Sequence, residues 1–219
     1  IAMDGVSGAE LWRSDGTEAG TVLVKDINPG PPDGVQLFGT PPVHVAGTLF
    51  FRADDGVHGQ ELWSSNGTAQ GTHLVRDIAP GSASSLPADL AGTNAIVLFR
   101  ASDGLSGAEL WASDGTEAGT VLVKDILPGL VGSMPQGLVF TGVGQRVVFA
   151  AFDPISGMEL WESDGTSAGT KLVRDLAAGA SSSNPKNIVV IGSSIFFSAD
   201  DGSIGRELWA EQVPSTPQR

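Results

Sequence analysis

Residues 108–126 read Ala108-Glu109-Leu110-Trp111-Ala112-Ser113-Asp114-Gly115-Thr116-Glu117-Ala118-Gly119-Thr120-Val121-Leu122-Val123-Lys124-Asp125-Ile126. Two short apolar stretches flank a turn built of serine, aspartate, glycine and threonine, which is the pattern of a β-hairpin. The tripeptide Glu-Leu-Trp at its start recurs at Trp12, Trp63, Trp161 and Trp209, and these five are all the tryptophans of the 219-residue chain. A spacing of about 49 residues, held this regularly, marks one supersecondary unit repeated along the chain.

Each unit holds four short apolar segments closed by glycine, proline, asparagine or aspartate. In the third unit they are strand A (around 87–91), B (96–101), C (108–112) and D (120–126). None carries apolar residues at helical spacing over ten or more positions, so the chain is expected to be all-β. A repeated four-stranded antiparallel sheet of this length is the blade of a β-propeller. Strand C occurs five times and strand D four times. Four blades are therefore favoured, with strands A, B and C near the C-terminus completed by the N-terminal strand D, and a five-bladed ring is the alternative. We expect one domain over residues 1–211, in units of about 1–47, 48–94, 95–144, 145–192 and a partial 193–211, with a tail at 212–219. The chain opens inside a repeat, as a piece of a longer protein would.

Composition narrows the function. There are 25 acidic residues and 12 basic ones, a net charge of −13, which argues against nucleic acid as a partner. Cysteine is absent, which removes disulfides and thiolate metal sites. No run of about 18 apolar residues is present to insert in a membrane. The three histidines, His44, His58 and His73, have no metal-ligand spacing, and neither a nucleophile elbow nor a phosphate loop occurs.

The repeated string, at Ala9–Ile27 and again at 108–126 and 159–175, resembles the ELWxxDGT repeat of secreted and surface proteins of myxobacteria and other environmental bacteria. The resemblance covers essentially residues 1–211. It implies a secreted or cell-surface module, with no activity or ligand attached to the motif. The second unit departs from the pattern at Asn66, and the fourth has Asp153-Pro154 in place of Asp-Gly.

Strand alternation puts Glu10, Trp12 and Ser14 on one face and Leu11 on the other. With blades on both sides, leucine and tryptophan both become inter-blade packing, a better reading than sugar stacking because each tryptophan lies in an apolar strand. A buried glutamate beside the tryptophan would need a partner, and Lys25, Arg76, Lys124 and Arg174 of strand D are the expected ones. The aspartate of the C–D turn (Asp15, Asp114, Asp164) is expected to hold the hairpin through backbone hydrogen bonds, which an asparagine at 66 can also do.

The opposite rim, made of the B–C and D–A loops, offers the functional candidates. Asp55, Glu61 and Asp77 of the second unit, and Asp103, Glu109 and Asp125 of the third, are hard oxygen ligands that could hold Ca²⁺, although the same aspartates would serve equally as turn caps. Residues that differ between units mark specific binding better than shared ones; on this rim they are Arg52, His58, Gln60, Arg100 and Met158. The expected function is a non-catalytic, lectin-like adhesion module that recognises carbohydrate or a surface protein. The alternatives are a structural or self-assembling repeat, associating through the surplus N-terminal strand, and a carbohydrate-active enzyme using paired rim carboxylates.

Overall fold

The computed structural model describes residues 1–35 and 39–213. Among these there is no helix, and five antiparallel sheets follow one another along the chain. The first holds β1 (Ala2–Met3), β2 (Ala9–Arg13) and β3 (Val22–Lys25). Three four-stranded sheets follow: β4 (Val43–Val45) to β7 (Thr72–Arg76) through β5 (Thr48–Asp54) and β6 (Gln60–Ser65); β8 (Ala88–Gly92) to β11 (Val121–Lys124) through β9 (Val97–Ser102) and β10 (Ala108–Ser113); and β12 (Gln136–Phe140) to β15 (Lys171–Arg174) through β13 (Val147–Asp153) and β14 (Gly157–Ser163). The last holds β16 (Lys186–Ile191), β17 (Ser194–Asp200) and β18 (Arg206–Gln212). Strands pair in chain order within every sheet.

Strand C thus occurs five times and strand D four times, as the spacing of the motifs predicts. The expected completion of the last sheet by the first strand D is not formed. Instead β3 pairs with β2, the strand beside it in sequence, through Trp12↔Leu23 and Arg13↔Val22. A hairpin partner nine residues away is reached at far lower entropic cost than one at the other end of the chain. The last strand also runs past the expected domain boundary at 211, to Gln212, and Val213 is buried and donates to the Ser193 carbonyl at 2.8 Å. Residues 214–219 of the expected tail lie outside the described residues.

The core lies between sheets. Leu11 and Val24 of the first sheet, with Ile27 of the link that follows it, pack on Phe51, Ala53 and Trp63 of the second. Phe50, Leu62 and Val75 of the second, with Ile78 of its link, pack on Val97, Phe99 and Trp111 of the third, and Leu98, Leu110 and Val123 of the third on Phe149 and Trp161 of the fourth. Leucine therefore faces the following sheet and tryptophan the preceding one, as strand alternation requires. In all four C–D pairs the register shifts between leucine and tryptophan (Leu110↔Lys124, then Trp111↔Leu122). One extra strand-D valine is accommodated at that bulge, Val24, Val75 and Val123 among them being buried.

The buried glutamates that precede Leu-Trp, Glu10, Glu61, Glu109 and Glu159, do not make the expected ion pairs with the strand-D cations. Glu109 Oε1 accepts the N–H groups of Leu127 (3.0 Å) and Ser133 (2.7 Å), and Oε2 accepts the Ser133 hydroxyl at 2.5 Å. Glu10, Glu61 and Glu159 bind the corresponding N–H groups of their own units. Each carboxylate thus holds the link that carries the chain from strand D to the next sheet. The same link docks forward: Gly34, Ser85, Ser133 and Ser183 accept from the N–H of Asp54, Ser102, Phe152 and Asp200 at the end of the next strand B. A glycine ahead of strand C makes this approach possible, since a Cβ at Gly8, Gly59, Gly107 or Gly157 would collide with the link backbone.

The strand-D cations reach forward as well. Lys25, Arg76 and Lys124 donate to the carbonyls of Thr72, Thr120 and Thr170, each one sheet on, at 2.6–2.8 Å. Lys25 and Lys124 lie 5.5 and 5.8 Å from the ring centres of Trp63 and Trp161, and Arg174 lies 5.9 Å from that of Trp209. Each unit therefore grips its successor through one cation–π contact or carbonyl hydrogen bond as well as through apolar packing.

Candidate functional site

The C–D turns are structural throughout. Oδ1 of Asp15, Asn66, Asp114 and Asp164 accepts the N–H and hydroxyl of the threonine two residues on, at 2.6–3.0 Å. Those hydroxyl and backbone bonds hold the carboxyls of Asp15 and Asp114 below the usual range. Asn66 makes the same two bonds, so the turn requires an acceptor oxygen rather than a charge.

At the other rim the B–C loops close in the same way. Asp55 accepts the N–H groups of Val57 and His58, both at 2.9 Å, and pairs with His58 Nδ1 at 2.8 Å. Asp103 accepts those of Leu105 and Ser106, at 2.8 and 2.7 Å. Asp77 Oδ2 accepts the Gly81 N–H at 3.0 Å and closes a turn of the link, while Asp125 is exposed where the third link starts. Glu61 and Glu109 are the link clamps, and burial pushes both carboxyls up against the pull of their hydrogen bonds. Among the described residues no three His, Asp or Glu side chains gather where a cation could sit. The six carboxylates expected to share Ca²⁺ are separate, and five of them already accept backbone N–H groups, so they do not fit the ion.

The residues that vary between units behave differently. Arg52 and Arg100 hold one register position in adjacent sheets, opposite Leu62 and Leu110 respectively. They line a single cavity of about 260 Å³ together with Ser102, Ala101 and two link residues, Leu86 and Met134. Leu86 and Met134 both adopt φ of 53°, a left-handed backbone that non-glycine residues seldom take, and both side chains are exposed. Arg52 loses some basicity through burial and through the charge of Arg100 beside it.

A second cavity, of about 450 Å³, lies on the other side of Arg100 and is lined by Asp89, Gln136, Lys186 and Asn187. Here Asp89, also left-handed at 53°, sits at the bulge of β8 and ties three elements together. Its Oδ1 accepts the Gly137 N–H at 2.9 Å, and its Oδ2 lies 3.3 Å from Arg100 Nη1, which also donates to the Pro135 carbonyl at 3.3 Å.

Of the five expected contact residues, the structure brings Arg52 and Arg100 together. Met158 lies just beyond, its sulfur 3.7 Å from Gln136 Nε2. His58 is held in its loop by Asp55, and the Gln60 backbone is bound to Ser84 and Leu86; neither lines the two cavities. Sequence reasoning missed Leu86, Asp89, Met134, Gln136 and Lys186. The signal for two of them was in plain view: Leu86-Pro87 and Met134-Pro135 place an apolar residue before proline at the same point of successive links.

The chain is an all-β repeat protein of serially stacked antiparallel sheets. No family model and no curated protein matches it. Among solved structures it is similar to TolB from Acinetobacter baumannii, with 11% sequence identity and a TM-score of 0.45, over 90% of this chain and 49% of that one. It therefore spans about half the length of that protein.

Proposed function

We propose that this chain is a non-catalytic binding module of the ELWxxDGT type, secreted or displayed at the cell surface, whose sheets are the blades of a β-propeller. On this reading it takes carbohydrate or a surface protein on the rim formed by the D–A links. One observation carries it: Arg52 and Arg100 meet in one cavity at a position the repeat fills elsewhere with Ala150 and Ser198, opposite Leu160 and Leu208. Arginine stands at this position in two neighbouring units where the later units carry alanine and serine, and that variation within a shared fold supports a ligand here. The propeller arrangement is supported by the inner strands β4, β8, β12 and β16, which lie against one another in succession. The non-catalytic reading is supported by the rim carboxylates Asp55, Glu61, Asp77, Asp103 and Glu109, each of which accepts a backbone N–H of a loop or link. A glycan array probed with the purified chain tests the proposal: binding abolished in an Arg52→Ser/Arg100→Ala double variant is expected, and an array without signal counts against it.

A second reading, self-association, has one observation in its favour. Leu208 of the last sheet is 75% exposed, whereas its counterparts Leu62 and Leu110 are fully buried against a following sheet. Light scattering across a concentration series separates the two, since a constant monomer mass rules out assembly through that face.

A further inference from the structure

Among the described residues, β18 is the one strand C without a strand D along its outer edge; β2, β6, β10 and β14 are paired there with β3, β7, β11 and β15. β18 pairs with β17 in unbroken register, from Asp200↔Arg206 to Ser194↔Gln212. One step further in that register, the Val213 N–H donates to the Ser193 carbonyl. Hydrogen-bonded pairs alternate along an antiparallel ladder, so the N–H and carbonyl groups of Leu208, Ala210 and Gln212 point away from β17. A row of outward donors and acceptors, with neither proline nor bulge to blunt it, is a template for a further strand.

The side chains around this edge match those that strand D and its link engage elsewhere. Glu207 is exposed and its carboxylate takes part in no hydrogen bond among the described residues, while Glu10, Glu61, Glu109 and Glu159 are buried beneath the N–H groups of a link. Leu208 is exposed, whereas Leu62 shares a cluster with Val75 of its strand D and Ile78 of the link. The neighbouring sheet shows the same shortfall. Lys25, Arg76 and Lys124 each donate to the threonine carbonyl at the start of the next strand D, but Arg174 turns to the Glu211 carboxylate at 3.2 Å.

Strand count and charge narrow the choice of occupant. Each copy of the described chain holds five strands C and four strands D, so exchanging strands D between copies leaves one edge bare. Pairing two β18 strands about Trp209 sets Glu207 opposite Glu211 twice, and like charges directly opposite destabilise a sheet. Both arguments favour a different chain. The four strands D describe its pattern: residues 21–27, 72–78, 120–126 and 170–176 all read Thr-x-Leu-Val, then lysine or arginine, aspartate, and isoleucine or leucine.

We propose that β18 is the acceptor edge for an extended segment of another chain, which adds antiparallel as a strand D and carries a Leu-Val step followed by a lysine or arginine. Its backbone pairs with Leu208, Ala210 and Gln212, and the N–H groups just beyond its basic residue close on the Glu207 carboxylate. Its first carbonyl comes within reach of Arg174, as that of Thr72 does for Lys25. The two carboxylates of the edge, Glu207 and Glu211, select a basic segment over an acidic one. This surface goes beyond the rim reading and stands independently of it.

The test is calorimetric titration of the whole chain with a peptide of residues 72–85, which holds a strand D and the link N–H groups that clamp Glu61. A scrambled peptide of the same composition and a peptide with Arg76→Glu are the controls. Two variants of the chain accompany them: Glu207→Ala, and Ala210→Pro, which removes one outward N–H and is a residue that an edge strand tolerates. The native peptide is expected to bind at least about 10-fold more tightly than either control, and to weaken by about 10-fold in each variant. Denaturation midpoints equal to that of the unmodified chain show that the variants fold; should Ala210→Pro fall short, Glu207→Ala, at an exposed carboxylate, decides the matter. Equal binding of either control overturns the proposal, as does binding indifferent to the variants or no binding of the native peptide. A light-scattering mass that rises with concentration, and returns to monomer in Ala210→Pro, overturns it in favour of a second copy on the edge.

Discussion

At the scale of single residues, the decisive group is the glutamate before Leu-Trp. Glu109 is fully buried without a cationic partner, which is tolerable because three donors from one link converge on it. Glu109→Ala strands the N–H groups of Leu127 and Ser133 and is expected to cost about 3 kcal/mol or more in urea unfolding, against about 1 kcal/mol for Glu109→Gln, whose oxygen still accepts both. Equal losses would show that the side chain acts through its volume instead. The turn aspartate makes the complementary case for charge. Asp114 has its folded pKa lowered by the Thr116 hydroxyl and N–H, so its stabilising contribution is complete above the unfolded value near 3.8 and is lost as pH falls through the lowered one. Asp114→Asn copies Asn66 and does not titrate. Its stability gap to the unmodified chain should narrow between pH 5 and pH 3 in denaturation curves, and a gap that widens on acidification would refute the linkage.

At the scale of elements, each strand D is bound to two sheets, its own by the ladder and the next by its terminal cation. Lys124 donates to Thr170 and lies over Trp161, while Arg76 makes the same carbonyl contact in the preceding unit. Lys124→Arg should therefore leave the thermal midpoint within a degree or two, while Lys124→Ala is expected to cost about 1 kcal/mol. The strand pattern was legible in the sequence: strands A to D of the third unit stand within two residues of the stretches read from turn signals and apolar runs. The partners of the polar residues were not. A glutamate in one strand and a lysine in the next invite pairing within the unit, and only the stacking shows the lysine reaching a carbonyl 46 residues away. The rim was half legible for a related reason. Arg52 and Arg100 stood out by differing from their counterparts, but variation could not show that these two meet in one cavity while His58 faces its own loop aspartate.

At the scale of the whole molecule, stability is held in the interfaces between sheets, because a single sheet of this size has no core of its own. The same leucine should therefore have unequal weight along the chain. Leu110→Ala opens a cavity between the third and fourth sheets and is expected to cost 2–5 kcal/mol, whereas Leu208→Ala, on an uncovered face, should change stability by less than about 0.5 kcal/mol. Chemical denaturation of the two variants decides this, and similar losses would mean that the last sheet is covered in solution.

The repeat period, the strand content and the role of Asp-Gly-Thr in the turns followed from the sequence alone, since each depends on contacts within about twenty residues. The direction of the links, the partners of the buried glutamates and the meeting of Arg52 with Arg100 were decided by tertiary structure. The glutamate partners lie in the link of the same unit, 17 to 24 residues on, where the chain folds back on strand C; the other two arise where one unit lies against the next, and a repeated sequence describes every unit alike without stating which face of one meets which face of its neighbour.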